Sequence, residues 1–241
     1  MKNCAKLCAL SASEPACAMR ISPTRLLLLL GVIGLAACSS EMEEQRIAHL
    51  LPDDATYQTV PVCSGSGCTV RTMVRLGDED WSKVESVFAA PPADPADERR
   101  RIGLAIGIME ILVGHQAGTR HDVGRNARVR DQSQQLDCVD EAVNTTTYLR
   151  LIEERGLLRW HSVGLPANRL IDLVDAHNTA VVIDRTTGAH YAVDSWFYDN
   201  GSPAVVVPLS VWRAGWDPDN NGDTLPSDPQ AAQLPAQEQS A

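Results

Sequence analysis

After Gly156 the hydrophobic pattern of this 241-residue chain changes period, and that change restricts the fold more than any other feature. Before it, apolar or small residues recur at spacings of three and four. Ile102, Ala105, Ile106, Met109 and Leu112 do so in one segment, and Ala142, Thr145, Leu149 and Ile152 in the next. Such spacing places them on one face of a helix. Asp94, Pro95 and Asp97 mark the start of the first helix and Gly114 its end; Asp137 caps the second, with Asp140 in the capping-box position and Gly156 as the stop. After Gly156, strands are predicted over Leu157–Val163, His177–Asp184, Ala189–Phe197 and Ala204–Leu209, with turns at Thr186-Thr187-Gly188 and Asp199-Asn200-Gly201. Pro208 marks the last of these as an edge strand. Upstream, alternation predicts a strand over Thr69–Leu76, followed by a helix over Asp78–Phe88. Buried helices followed by an antiparallel meander define an α+β plan.

The N-terminus follows different rules. Arg20 and Arg25 precede the apolar run Leu26 to Gly34, which ends in Leu35-Ala36-Ala37-Cys38-Ser39-Ser40. A basic flank before a short apolar run reads as a signal peptide over residues 1–37, too short to span a bilayer comfortably. The ending resembles the lipobox of bacterial lipoproteins. That resemblance implies lipidation of Cys38 and, from Ser39, a place in the cell envelope on the outer membrane, facing the periplasm. An ordinary signal peptide with an unrelated cysteine is the alternative. Met19 begins a well-formed signal of its own, so translation is expected to start there. The chain carries a formal charge of −10, and removal of residues 1–37 leaves 17 basic against 30 acidic side chains, −13. Without a basic cluster, nucleic acid is excluded as a partner, and membrane attachment falls to the lipid. Residues 38–54 read as a tether with a short helix near Ile47 to Leu51, residues 55–216 as the folded domain, and residues 217–241 as a disordered acidic tail.

The cysteines sort by context. Cys63 and Cys68 flank Ser-Gly-Ser-Gly, and in an oxidising compartment a small-loop disulfide is expected, with a zinc half-site as the alternative. Cys138 is left without a sequence partner. It falls in the first turn of a helix, where the macrodipole favours thiolate over thiol, so it is a nucleophile candidate; the competing reading is a small buried hydrophobe.

His177 opens one predicted strand and Asp194 lies in the next. With a four-residue loop over Asp184–Thr187, pairing Ile183 with Gly188 sets His177 directly opposite Asp194. A register shifted by two leaves them diagonal on one face, and a slip of one separates them. The hairpin can thus hold an imidazole against a carboxylate, and a thiol at a helix N-terminus packed on the sheet completes a Cys-His-Asp set for nucleophilic catalysis.

Asp137-Cys138 opening a helix, His177-Asn178-Thr179-Ala180-Val181-Val182 on a strand and Tyr191-Ala192-Val193-Asp194-Ser195-Trp196 on the next resemble the transglutaminase-like cysteine proteinase superfamily over residues 95–216. The resemblance implies a papain-like core with Cys138 as nucleophile, His177 as general base and Asp194 as its orienting acid. Gln132, six positions before Cys138, stands at the offset from which papain-like enzymes take an oxyanion donor; the Cys138 backbone N–H is another. The expected substrate is a peptide or protein amide in the envelope, by hydrolysis or acyl transfer. A non-catalytic lipoprotein that keeps the fold for binding or assembly is the alternative. Nothing in the sequence calls for a cofactor or a metal. Asp217-Pro218-Asp219-Asn220-Asn221-Gly222-Asp223 begins like a calcium loop, but Pro218 interrupts it and Asp228 stands at position twelve.

Overall fold

A computed structural model describes residues 44–125, 134–171 and 175–221, all within one compact unit. Cys38, Met19 and Gln132 lie outside the described residues. Strands β1 (Thr59–Ser64) and β2 (Val70–Arg75) form an antiparallel hairpin closed by the Cys63–Cys68 disulfide. Helices α1 (Asp78–Ser86), α2 (Pro95–Ala117) and α3 (Cys138–Glu154) follow. Then come β3 (His161–Val163), β4 (Ala167–Ile171), β5 (Asp175–Asp184), β6 (His190–Asp194) and β7 (Val205–Pro208). These strands pair antiparallel in the order β3-β5-β6-β7, with β4 on the early half of β5. Short helices α4 (Leu209–Arg213) and α5 (Pro218–Asn221) complete the described chain. The plan is α+β, with antiparallel sheets.

The terminal signals act as the chemistry requires. Asp94 accepts from the Asp97 N–H at the start of α2, and the helix passes Gly114 to end at Gly118, whose φ of +80° suits a residue without a side chain. Helix α3 is almost wholly buried, including Thr145, Thr146 and Thr147. A threonine run disfavours helix, but here Thr146 and Thr147 donate to the carbonyls of Ala142 and Val143 at 2.6 and 2.8 Å, and none of this polarity is wasted. One face of the sheet, with Ala180, Val182 and Val193, packs on α2 and α3. The other, with Val181, Ala192, Val205 and Val207, packs beneath Phe197, Trp212 and Trp216.

Four expectations need correction. The strand expected over Leu157–Val163 begins only at His161, because the buried Glu98 carboxylate accepts the N–H groups of Arg159, Trp160 and His161 at 2.7–2.9 Å and holds 159–160 out of the sheet. β1 and β4 were not predicted: β1 is buried on both faces and carries Pro61, while β4 contains Arg169. The tether expected over 38–54 is folded from residue 44. Residues 44–48 are helical, Ile47 and Leu51 are buried against Cys63, Val139 and Val143, and Glu44 bridges Arg213 at 2.5 Å. Past Trp216, Asp217 and Asp219 both pair with Arg125, so the chain there belongs to the domain and the two described carboxylates of the calcium-like segment are already taken. Gly222 onward lies outside the described residues.

Candidate active site

The N-terminus of α3 is held by two carboxylates and a tight loop. Asp137 Oδ1 accepts from Val139 N–H and Asp140 N–H at 3.0 Å each, and Asp140 returns a bond to the Asp137 N–H at 3.2 Å, so the expected capping box is formed. The cap leaves the Cys138 N–H, first in the helix, without a role in it. The second oxygen of Asp137 turns away from the cysteine toward the disulfide loop, taking Ser66 Oγ at 2.5 Å and Gly67 N–H at 2.9 Å. Asp140 takes Ser66 and Cys68 N–H at 3.0 and 2.7 Å. Residues Gly65 to Cys68 all have positive φ, between 59° and 80°, which aims successive N–H groups at these two acids. Asn144, one turn further, exchanges two bonds with the Cys63 backbone at 2.7 and 2.9 Å. The disulfide loop is therefore bolted to the helix that presents Cys138. Burial and the Asp137 charge raise Asp140 to about 7, against the backbone bonds that favour its anion.

Cys138 is the free cysteine among the described residues and is partly exposed. His177 and Asp194 are both buried. The β5–β6 register pairs Ile183 with His190 and Ala180 with Val193. That is shifted by two from the expected pairing, because the loop extends over 185–189. His177 and Asp194 are therefore diagonal neighbours on one face, and they meet: Nε2 lies 2.7 Å from Asp194 Oδ2. The bond occupies Nε2, and Cys138 lies near enough to the ring to help raise it. Burial works against the charged ring, but Asp194 and then Cys138 outweigh it and raise His177 to about 9. All three sequence-predicted residues are thus brought together.

Asp194 has further donors, supplied by two tryptophans. Trp212 Nε1, from α4, donates to the same Oδ2 at 2.7 Å, and the Trp196 N–H reaches Oδ1 at 3.2 Å. Trp196 lies against the His177 ring at 4.6 Å between centroids, Trp212 at 5.5 Å and Phe197 at 5.6 Å. These rings exclude water from the His177–Asp194 bond, where a lower dielectric strengthens it. Asn178 was also missed. Its Nδ2 lies 3.4 Å from Cys138 Sγ. No local motif distinguishes either residue; Trp212 is 18 positions from the aspartate it serves.

Other polar groups fall elsewhere. His161 is fully buried, with Nδ1 2.9 Å from Glu98 and Nε2 3.3 Å from Arg99, a satisfied structural histidine. Residues 119–125 run along the 196–200 turn: Arg125 N–H donates to the Trp196 carbonyl at 2.7 Å, and at Gly124 a side chain would collide with the Phe197–Tyr198 backbone. One turn below Cys138 lies a buried acidic group, Glu110, Asp122 and Glu141. Ser195 donates to Glu141 at 2.6 Å and the Gly201 N–H to Glu110 at 2.9 Å, while Glu110 Oε1 has no partner among the described residues. Burial first, and mutual repulsion with it, pushes Glu141 well up and Glu110 to about 8. Among the described residues no group of three or more His, Cys, Asp or Glu is arranged to hold a metal ion, and no helix is long and apolar enough to cross a membrane.

No family model matches this chain, and no curated protein or solved structure does so either.

Proposed function

We propose that this protein is a lipid-anchored envelope enzyme that attacks amide bonds through Cys138, by peptide or isopeptide hydrolysis or by acyl transfer. What carries the reading is the His177 ring, bonded to Asp194 at 2.7 Å, with the Cys138 sulfur at a helix N-terminus among the groups that raise it. The order and elements of these residues are those of transglutaminase-like cysteine proteinases, with a papain-like core.

The steps follow from the groups present. With His177 raised to about 9, the imidazolium is its neutral-pH form, and the proton on the ring is one the sulfur can give up. The thiolate attacks the amide carbon, and electrons move to the carbonyl oxygen. The Cys138 N–H, unused by the cap, is available to that oxygen. Collapse breaks the C–N bond as the imidazolium protonates the leaving amine, giving a thioester. His177, now neutral, takes a proton from water or from an incoming amine, which releases acid or new amide and frees the thiolate. Asp194 holds the ring in the required tautomer throughout.

An activated ester tests this without knowledge of the natural substrate. p-Nitrophenyl acetate should give a burst of about one equivalent of nitrophenol per chain, with the acetyl group found on Cys138 by mass spectrometry. Cys138→Ser should abolish the burst and His177→Ala should slow it. Acetylation no faster at Cys138 than at surface nucleophiles would leave only the binding or assembly reading.

A further inference from the structure

Successive side chains leave opposite faces of a strand, so His177 and Asn178 depart from β5 in opposite directions. The Cys138 sulfur lies beside the strand, 3.9 Å from the Ala176 carbonyl, before the ladder with β6 begins at Ala180. Placed there, it meets both neighbours. Asn178 Nδ2 lies 3.4 Å from it, and the His177 ring is near enough for the sulfur to help raise it.

Which end of the Asn178 amide faces the sulfur is set by its surroundings. Asn168 stands directly opposite Asn178 in the β4–β5 register. Asn168 Nδ2 lies 3.3 Å from the His177 carbonyl oxygen and 3.0 Å from Asn178 Oδ1. A backbone carbonyl can only accept, so the Asn168 atom facing it is the NH₂ group. That NH₂ also meets the Asn178 oxygen, which turns the Asn178 NH₂ to the sulfur. Both asparagines are 3% exposed, so water does not offer either amide a different partner.

We propose that Asn178 is a further catalytic residue, donating from Nδ2 to the Cys138 thiolate, and that Asn168 is the positioning residue that keeps this donor turned to the sulfur. The proposal rests on the thiol chemistry above. As the S–H bond breaks and the proton joins His177, the electron pair stays on sulfur. The sulfur then accepts from the imidazolium on one side and the amide on the other. A donor gains most when its acceptor becomes charged, so the contact favours the ionised sulfur over the thiol.

The test is iodoacetamide alkylation of the full-length protein, read at the Cys138 peptide by mass spectrometry between pH 6 and pH 10, with melting temperature as a folding control. Asn178→Asp keeps the shape but replaces the donor with an acceptor, and should slow alkylation at pH 6 about tenfold or more, with the deficit closing toward pH 10. Asn168→Asp, which leaves Asn178 in place and does not touch the sulfur, should flip the Asn178 amide and reproduce the deficit. Asn168→Ala should give a smaller one. A deficit independent of pH would mean a structural role only and overturn the proposal. So would wild-type rates in both Asp variants while His177→Ala is slow. If instead the wild-type thiol is ordinary and His177→Ala changes nothing, the thiol chemistry itself fails.

Discussion

Helix α3 meets two polar clusters one turn apart, and they handle charge in opposite ways. Beside Cys138 a cation meets an acid: His177 is raised to about 9 and bonded to Asp194, whose carboxylate takes donors from His177, Trp212 and the Trp196 backbone. Around Glu141, Glu110 and Asp122 add further buried carboxyls, and Glu110 Oε1 has no partner among the described residues. There burial and repulsion raise Glu110 and Glu141 until they hold protons. The first arrangement keeps charge where a reaction can use it. The second removes charge from the core and makes the scaffold sensitive to pH.

The comparison breaks most visibly at Asp194. Asp194→Asn keeps the shape but removes the anion that holds His177 charged and in one tautomer, and the esterolytic burst should slow about 10³–10⁴-fold, the scale on which orienting carboxylates act in triads. Circular dichroism at pH 7 should show the fold unchanged; a burst rate within tenfold of wild type would mean His177 does not depend on this acid.

Glu110→Gln probes the other side. A folded-state pKa raised from 4.5 to about 8 gives stability that is full below about 4.5 and lost as pH rises through 8. Asp140, raised from 3.8 to about 7, and His177, raised from 6.5 to about 9, act in the same direction. The melting temperature should therefore fall between pH 5 and pH 9. Glu110→Gln retains an acceptor for the Gly201 N–H, so it should flatten that fall and add on the order of a few kcal/mol at pH 9. A pH-independent melting temperature would show that these acids are solvated after all.

Trp212→Phe sharpens the comparison by removing one donor while leaving the His177–Asp194 bond. The burst rate should drop about tenfold, the scale of one hydrogen bond to a charged group, and Asp194→Asn combined with it should cost little more than Asp194→Asn alone. The smallest effect belongs to Arg125→Ala. Its pairs with Asp217 and Asp219 are partly exposed, so unfolding by urea should report a loss of no more than about 1 kcal/mol.

The sequence made legible what local chemistry decides. Asp137 and Asp140 mark the start of α3 because a capping box is a four-residue device, and Cys138, His177 and Asp194 stood out because helix start and strand alternation place them within reach. The register was off by two because loop length, not alternation, fixes it, and residues of the same parity stay on one face in either case. β4 was hidden by Arg169, whose Nη1 is bonded to the Trp212 and Trp216 carbonyls, contacts that depend on a helix some 43 residues away. Ile47 looked like part of a tether because its partners, Val139 and Val143, lie almost a hundred positions on. Asn178 was concealed by adjacency, since a neighbour of His177 should face away from it, and only the placement of the sulfur beside the strand lets both reach it.

The most direct measurement is the rate at which iodoacetamide modifies Cys138 at pH 6, compared with free glutathione and with the His177→Ala variant. An ion pair with His177 should make Cys138 react at least about tenfold faster than glutathione, because the thiolate is the nucleophile, and His177→Ala should remove that advantage. A Cys138 that reacts no faster than glutathione, with or without the His177 ring, contradicts the catalytic arrangement.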